Sequence, residues 1–113
     1  MMVNSLFTPE NPYKNESKGI RYNMPIQEKL KFIDKNASIL EQRLIDFLKI
    51  QSISTDKLFA KSCDQAAKWL VGQLQALDFE VKAHETQGHP IVLANGGEGS
   101  PHLLFYGHYD VQP

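Results

Sequence analysis

At Phe79 the hydrophobic pattern changes period, and this change bounds the fold. Before it, apolar residues recur at helical spacing, ending with Leu70, Leu74 and Leu77. After it, Phe79, Val81 and Ala83 alternate with Glu80, Lys82 and His84. A repeat near 3.6 lines one face of a helix, and a repeat of two lines one face of a strand. The chain therefore reads as a mixed α/β fold with its helices first and its strands last.

Three helices are expected upstream. Pro25 suits the first helical position, where a missing N–H costs nothing. Ile26, Leu30 and Ile33 then share a face, and Asn36 is a plausible stop. Ser38-Ile39-Leu40-Glu41 reads as a capping box opening a second helix, with Leu40, Leu44, Phe47 and Leu48 inward. That helix should end near Ile50, because Gln51-Ser52-Ile53-Ser54-Thr55-Asp56 is a polar stretch rich in side chains that compete for backbone hydrogen bonds. Ser62-Cys63-Asp64-Gln65 is a second capping-box candidate, and Cys63, Ala66, Ala67, Leu70, Leu74 and Leu77 make its stripe. Gly72 inside this helix lowers its propensity by about 1 kcal/mol against Ala and suggests a close packing contact.

Three strands are expected downstream. Phe79 to Ala83 has one wet face. Thr86-Gln87-Gly88-His89 is a turn, and Pro90 to Ala94 is a short apolar strand. Asn95 to Pro101 is a tight connection. His102-Leu103-Leu104-Phe105-Tyr106-Gly107 is a continuous apolar run, the pattern of a strand buried on both faces. Such a strand needs neighbours on both edges and layers on both faces. Residues 24–113 are accordingly expected to form the first part of a larger α/β domain, incomplete in this chain. Residues 1–23, with Pro9, Pro12 and Gly19 and no apolar periodicity, read as a flexible extension. Met24 is an alternative start.

Composition removes several functions. The chain has 113 residues, 12 Lys+Arg and 13 Asp+Glu, so its formal charge is −1. This balance lacks the basic face that grips phosphate backbones, so no nucleic-acid partner is expected. No apolar run approaches the roughly 18 residues of a membrane span, and no secretory signal is evident. A cytoplasmic protein is expected. A single cysteine, Cys63, excludes an intrachain disulfide and a multi-cysteine zinc site. On an apolar stripe it reads as a buried, inert thiol.

Gly107-His108-Tyr109-Asp110 is the feature that points to chemistry. It follows the apolar run, and in open α/β sheets ligands bind where strands end. In an extended chain residues i and i+2 point the same way, so His108 and Asp110 can lie side by side. An imidazole that ligates zinc usually gives its other N–H to an outer partner, often a carboxylate. The same pair also serves as a structural cap on a strand end, and His-x-Asp alone does not choose between the two. Other candidates are weaker. His84 lies on a wet strand face, His89 in a turn, and His102 at the start of the apolar run. Ser100 lacks the Gly-x-Ser-x-Gly elbow of a hydrolase triad. Gly96-Gly97-Glu98-Gly99 is followed by Pro101 and a strand, where a phosphate loop needs a helix N-terminus.

The run Leu103-Leu104-Phe105-Tyr106-Gly107-His108-Tyr109-Asp110-Val111-Gln112-Pro113 closely resembles the zinc-ligand strand of the co-catalytic zinc exopeptidase family. That family groups aminoacylases, acetylornithine and succinyl-diaminopimelate deacylases, glutamate carboxypeptidases and di- or tripeptidases. Gly-His-x-Asp-Val-x-Pro is its most recognisable N-terminal motif. The similarity runs backwards through Phe79-Glu80-Val81 and Ala67 to Leu70, and through Arg43 to Ser54, and so spans Met24 to Pro113. Tyr109 and Gln112 resemble the dipeptidase branch.

The resemblance implies the N-terminal part of a three-layer zinc-exopeptidase catalytic domain, with helices and then a β-meander leading into a buried central strand. It implies that His108 is a ligand of one zinc and that Asp110 is the catalytic-site carboxylate holding that imidazole. It implies two zinc ions per site, although His108 alone suits several divalent metals. The expected substrate is a peptide or an N-acyl amino acid, and the expected parent is a metallo-dipeptidase-like hydrolase, with a homodimer among its expected assemblies. A bridging Asp, a Glu general base and a final His have no counterparts in these 113 residues. Zinc wants three or four protein ligands, so activity is expected of the parent and not of this chain alone. Two rival readings remain. One is a small non-catalytic α/β binding or interaction domain, and the other is a truncated pseudogene product of the same family.

Overall fold

The computed structural model describes residues 25–113. The expected extension at residues 1–23 and the alternative start at Met24 lie outside the described residues. Among them the chain is a small mixed α/β fold. The order is α1 (Ile26–Leu48), a short 3-10 turn (Lys57–Phe59), α2 (Ala60–Gln75), β1 (Glu80–His84) and β2 (Ile91–Asn95).

The two expected N-terminal helices are one. α1 runs unbroken through Asn36 and Ser38, and the reason is local. The Asn36 side-chain amide donates to the Phe32 carbonyl at 2.7 Å, one turn back, so Asn36 satisfies the helix from within instead of stopping it. The next start signal is Asp56, not Ser62. The Asp56 carboxylate accepts from the Leu58 backbone N–H at 2.9 Å and caps the 3-10 turn that leads into α2.

α2 ends in a Schellman motif. Phe79 N–H donates to the Leu74 carbonyl at 3.2 Å and Asp78 N–H to the Gln75 carbonyl at 3.0 Å. Asp78 takes the left-handed position with φ 62°, a place usually given to glycine. The motif turns the chain into β1, which pairs antiparallel with β2 in the register Glu80 with Asn95, Lys82 with Leu93 and His84 with Ile91. Between them, Thr86 closes the turn: its hydroxyl donates to the His89 carbonyl at 2.8 Å and accepts from Gly88 N–H at 2.9 Å. Beyond β2, Gly96 lies against the Phe79 ring. A Cβ there would stand 2.7 Å from a ring carbon, so glycine is what lets the ring close over this end of the sheet.

α2 packs on the two strands, and the core sits beneath it. Cys63, Ala66 and Ala67 are the buried apolar residues, and small side chains there allow a close approach of helix and sheet. Gly72, expected to mark a tight contact, marks none: a Cβ there would meet nothing from outside its own helical turn within 4 Å. α1 buries no residue; it meets α2 through Phe47, whose ring stacks on Trp69 with centroids 4.8 Å apart.

The expected third strand, His102 to Gly107, is not a strand among the described residues. Leu104 is 94% exposed and Phe105 90% exposed. A continuous apolar run signals burial only where layers cover both faces. Here neither sheet edge nor helix covers it, so the expectation of a buried central strand fails for the described residues. No helix among them is long and apolar enough to cross a membrane.

Candidate functional site

The segment carrying His108 and Asp110 is tied to the loop that follows α1, more than fifty residues earlier. Ser52 makes the tie on the backbone. Its hydroxyl donates to the Tyr109 carbonyl at 2.9 Å, and its own carbonyl accepts from Val111 N–H at 3.0 Å. Ser52 is the buried polar residue of the described chain, at 1% exposure. Tyr109 adds a third tie, donating its hydroxyl to the Pro90 carbonyl at 2.6 Å at the foot of β2. Burial, then the nearby Cys63, Asp64 and Asp110, push the Tyr109 phenol up, so it stays a donor.

On this frame the two expected site residues meet. His108 Nδ1 lies 3.2 Å from Asp110 Oδ1. The other carboxylate oxygen, Oδ2, accepts from the Ser54 hydroxyl at 2.6 Å. The Ser54 bond, and after it the His108 bond, hold the Asp110 carboxyl below the usual carboxylate range against partial burial. An ionised carboxylate only accepts, so Nδ1 carries the proton in this pair. Nε2 of His108 then points away from Asp110, in a ring that is 73% exposed. The Tyr106 hydroxyl stands 3.3 Å from it, with the two rings edge to face at a centroid distance of 5.7 Å.

An open groove of about 640 Å³ adjoins the pair. β2, Leu70 and Leu74 of α2, and residues 104–110 line it. Its polar groups include Ser54, His89, His108 and Asp110. His89, expected as a solvated turn residue, is half-buried instead. Its Nε2 lies 3.0 Å from the Ser54 carbonyl, and since a carbonyl only accepts, Nε2 is the protonated nitrogen there. His84 and His102 are exposed, as is Ser100, which joins no triad. Cys63 is fully buried, and burial, then Asp110 and Asp64, push its thiol up, away from nucleophilic character.

Sequence reasoning missed Ser52 and Ser54 as partners of this site. Their only local signal was a run of hydrogen-bonding side chains after a helix, which names a loop but no partner. No group of three or more His, Cys, Asp or Glu among the described residues is arranged to hold a metal ion. The chain matches no protein-family model, no curated protein and no solved structure.

Proposed function

We propose that this chain is the first segment of the three-layer catalytic domain of a cytoplasmic, dipeptidase-like zinc exopeptidase. It would act in the hydrolysis of a peptide or N-acyl amino-acid amide bond. The observation that supports the reading best is the pairing of Asp110 with His108 Nδ1. A metal-ligating imidazole gives one N–H to an outer carboxylate and offers the other nitrogen to the metal, and this pair has that form. The donor set fits one zinc ligand, His108 through Nε2, with Asp110 as its orienting partner. The remaining ligands and the general base would come from polypeptide beyond Pro113. Zinc, when bound in pairs, supplies an acidified water and polarises the scissile carbonyl. Asp110 fixes the tautomer and direction of His108, and Ser54 and Ser52 fix Asp110 and its backbone. The apolar groove beside them would receive an uncharged part of the substrate or a further element of the domain.

One observation favours a second reading, a non-catalytic α/β binding domain in which the pair is structural. The Tyr106 hydroxyl already lies against His108 Nε2, the nitrogen a metal would need. One experiment separates the two. The reading frame past the codon for Pro113 is determined, and the whole protein is purified and assayed for bound zinc and for dipeptide hydrolysis. Stoichiometric zinc, lost together with activity in His108→Ala, supports the exopeptidase. A whole protein without stoichiometric zinc and without peptidase activity overturns it.

A further inference from the structure

Asp110 has two carboxylate oxygens, and each has one side-chain partner: Ser54 on Oδ2 and His108 on Oδ1. The terminal torsion of an Asp side chain is broad, so a single hydrogen bond leaves the carboxylate free to turn. A second anchor selects one orientation. Ser54 can be that anchor because it is itself held. Its carbonyl accepts from His89 Nε2 at 3.0 Å, and Ser52, two residues before it, is bonded twice to the Tyr109–Val111 backbone. The 2.6 Å Ser54–Asp110 bond is a short, charge-assisted contact between residues 56 apart in sequence.

We propose that Ser54 is a positioning residue for His108. Its hydroxyl holds the Asp110 carboxylate in the orientation that fixes the imidazole proton on Nδ1 and turns the Nε2 lone pair outward. The inference deepens the metal-site reading and rests on it for the use made of Nε2; the tautomer itself is a property of this chain without metal. A neutral imidazole free in water carries its proton mainly on Nε2, so a majority of Nδ1–H is an imposed state and can be read directly. Long-range nitrogen–proton NMR of the His108 ring, in the metal-free chain with the ring neutral, measures it. The expected result is a majority of Nδ1–H in the parent sequence, loss of that majority in Ser54→Ala, and its return in Ser54→Thr, which keeps the hydroxyl. The Val111 amide shift reports the Ser52 tie in each variant and so separates a local change from unfolding. An Nδ1–H majority that survives in Ser54→Ala overturns the inference, and so does a Ser54→Thr chain with an intact Val111 shift that behaves like Ser54→Ala. Zinc added to the whole protein distinguishes the two levels. A Ser54-dependent tautomer with no zinc response at His108 removes the metal reading and leaves Ser54 its role. A tautomer indifferent to Ser54 removes that role whatever zinc does.

Discussion

Ser52→Ala is the most direct test of the frame behind the site. The substitution deletes the hydroxyl that donates to the Tyr109 carbonyl at 2.9 Å and leaves the Val111 N–H bond to the residue 52 carbonyl in place. A neutral hydrogen bond contributes about 0.5–1.5 kcal/mol net, and a buried carbonyl left without a partner costs about 1–3 kcal/mol. Ser52 is 1% exposed, whereas Tyr109 is only half-buried, so water recovers part of the loss at the carbonyl. The expected cost is about 1–2 kcal/mol. It should appear first as local opening of the 109–111 segment, because the deleted bond is one of the ties that hold that segment. Amide hydrogen exchange of Val111 reads it, with an expected acceleration of about 5- to 30-fold. Gln42→Ala is the control. It removes an exposed contact to Asp46 within α1, worth about 0.2–0.5 kcal/mol, and should leave Val111 untouched. Val111 exchange changing by less than about twofold in Ser52→Ala would refute the reasoning, since the hydroxyl would then carry none of the tie.

Four further outcomes follow from particular contacts. Asp78→Gly removes an L-residue from φ 62° and a negative charge from the C-terminal end of α2; stability should rise by about 0.5–1 kcal/mol, seen as a higher urea midpoint with unchanged slope. Cys63, buried and with its thiol pushed up, should resist a thiol reagent in the native chain and react promptly in denaturant; prompt native labelling would contradict its place on the buried face of α2. The Asp110 carboxyl is lowered by Ser54 and then His108, so the unfolded state binds more protons in acid. Its contribution is therefore complete above about pH 3.9 and fades as pH falls through the lower native value, and carboxyl-carbon NMR should show the Asp110 midpoint moving up in Ser54→Ala. Leu104→Lys with Phe105→Lys should suppress concentration-dependent light scattering, because it breaks an exposed apolar run beside a sheet edge; equal scattering in both chains would place self-association elsewhere.

What the sequence disclosed and what it hid follow a physical division. β1 and β2 were legible to within one residue, and α2 to within about three with its start signal misplaced, because their periods are local properties of the chain. The Cys63, Ala66, Ala67 stripe was legible for the same reason, and so was the neighbourhood of His108 and Asp110, two residues apart in sequence. The break expected at Asn36 failed because an Asn that bonds back to Phe32 looks, in sequence, like an Asn that stops a helix. The 52–54 clamp was not legible at all. A serine in a loop has many possible acceptors, and only the tertiary path that returns Tyr109 and Asp110 to it selects one.

The same division explains why the site is formed where the apolar pattern is not. Along α1, Ile26, Leu30, Ile33, Leu40 and Leu44 carry a helical stripe, and Leu103 to Tyr106 carry a strand-like run, yet all of these side chains are exposed. Hydrophobic free energy comes from area removed from water, so they gain little of the roughly 1.5–3 kcal/mol that full burial of each would give. Exposed apolar surface of this kind gains stability when a partner or a further segment covers it. The His108–Asp110 pair does not wait for that cover. It hangs on directional bonds from Ser52, Ser54 and Tyr109 to fixed backbone and carboxylate atoms, and each bond is satisfied within the described chain. Covering the apolar surfaces should therefore raise stability and lower the dielectric around the pair without resetting its geometry. Any partner or further segment that does so should protect the Val111 amide and leave the His108 tautomer as it is.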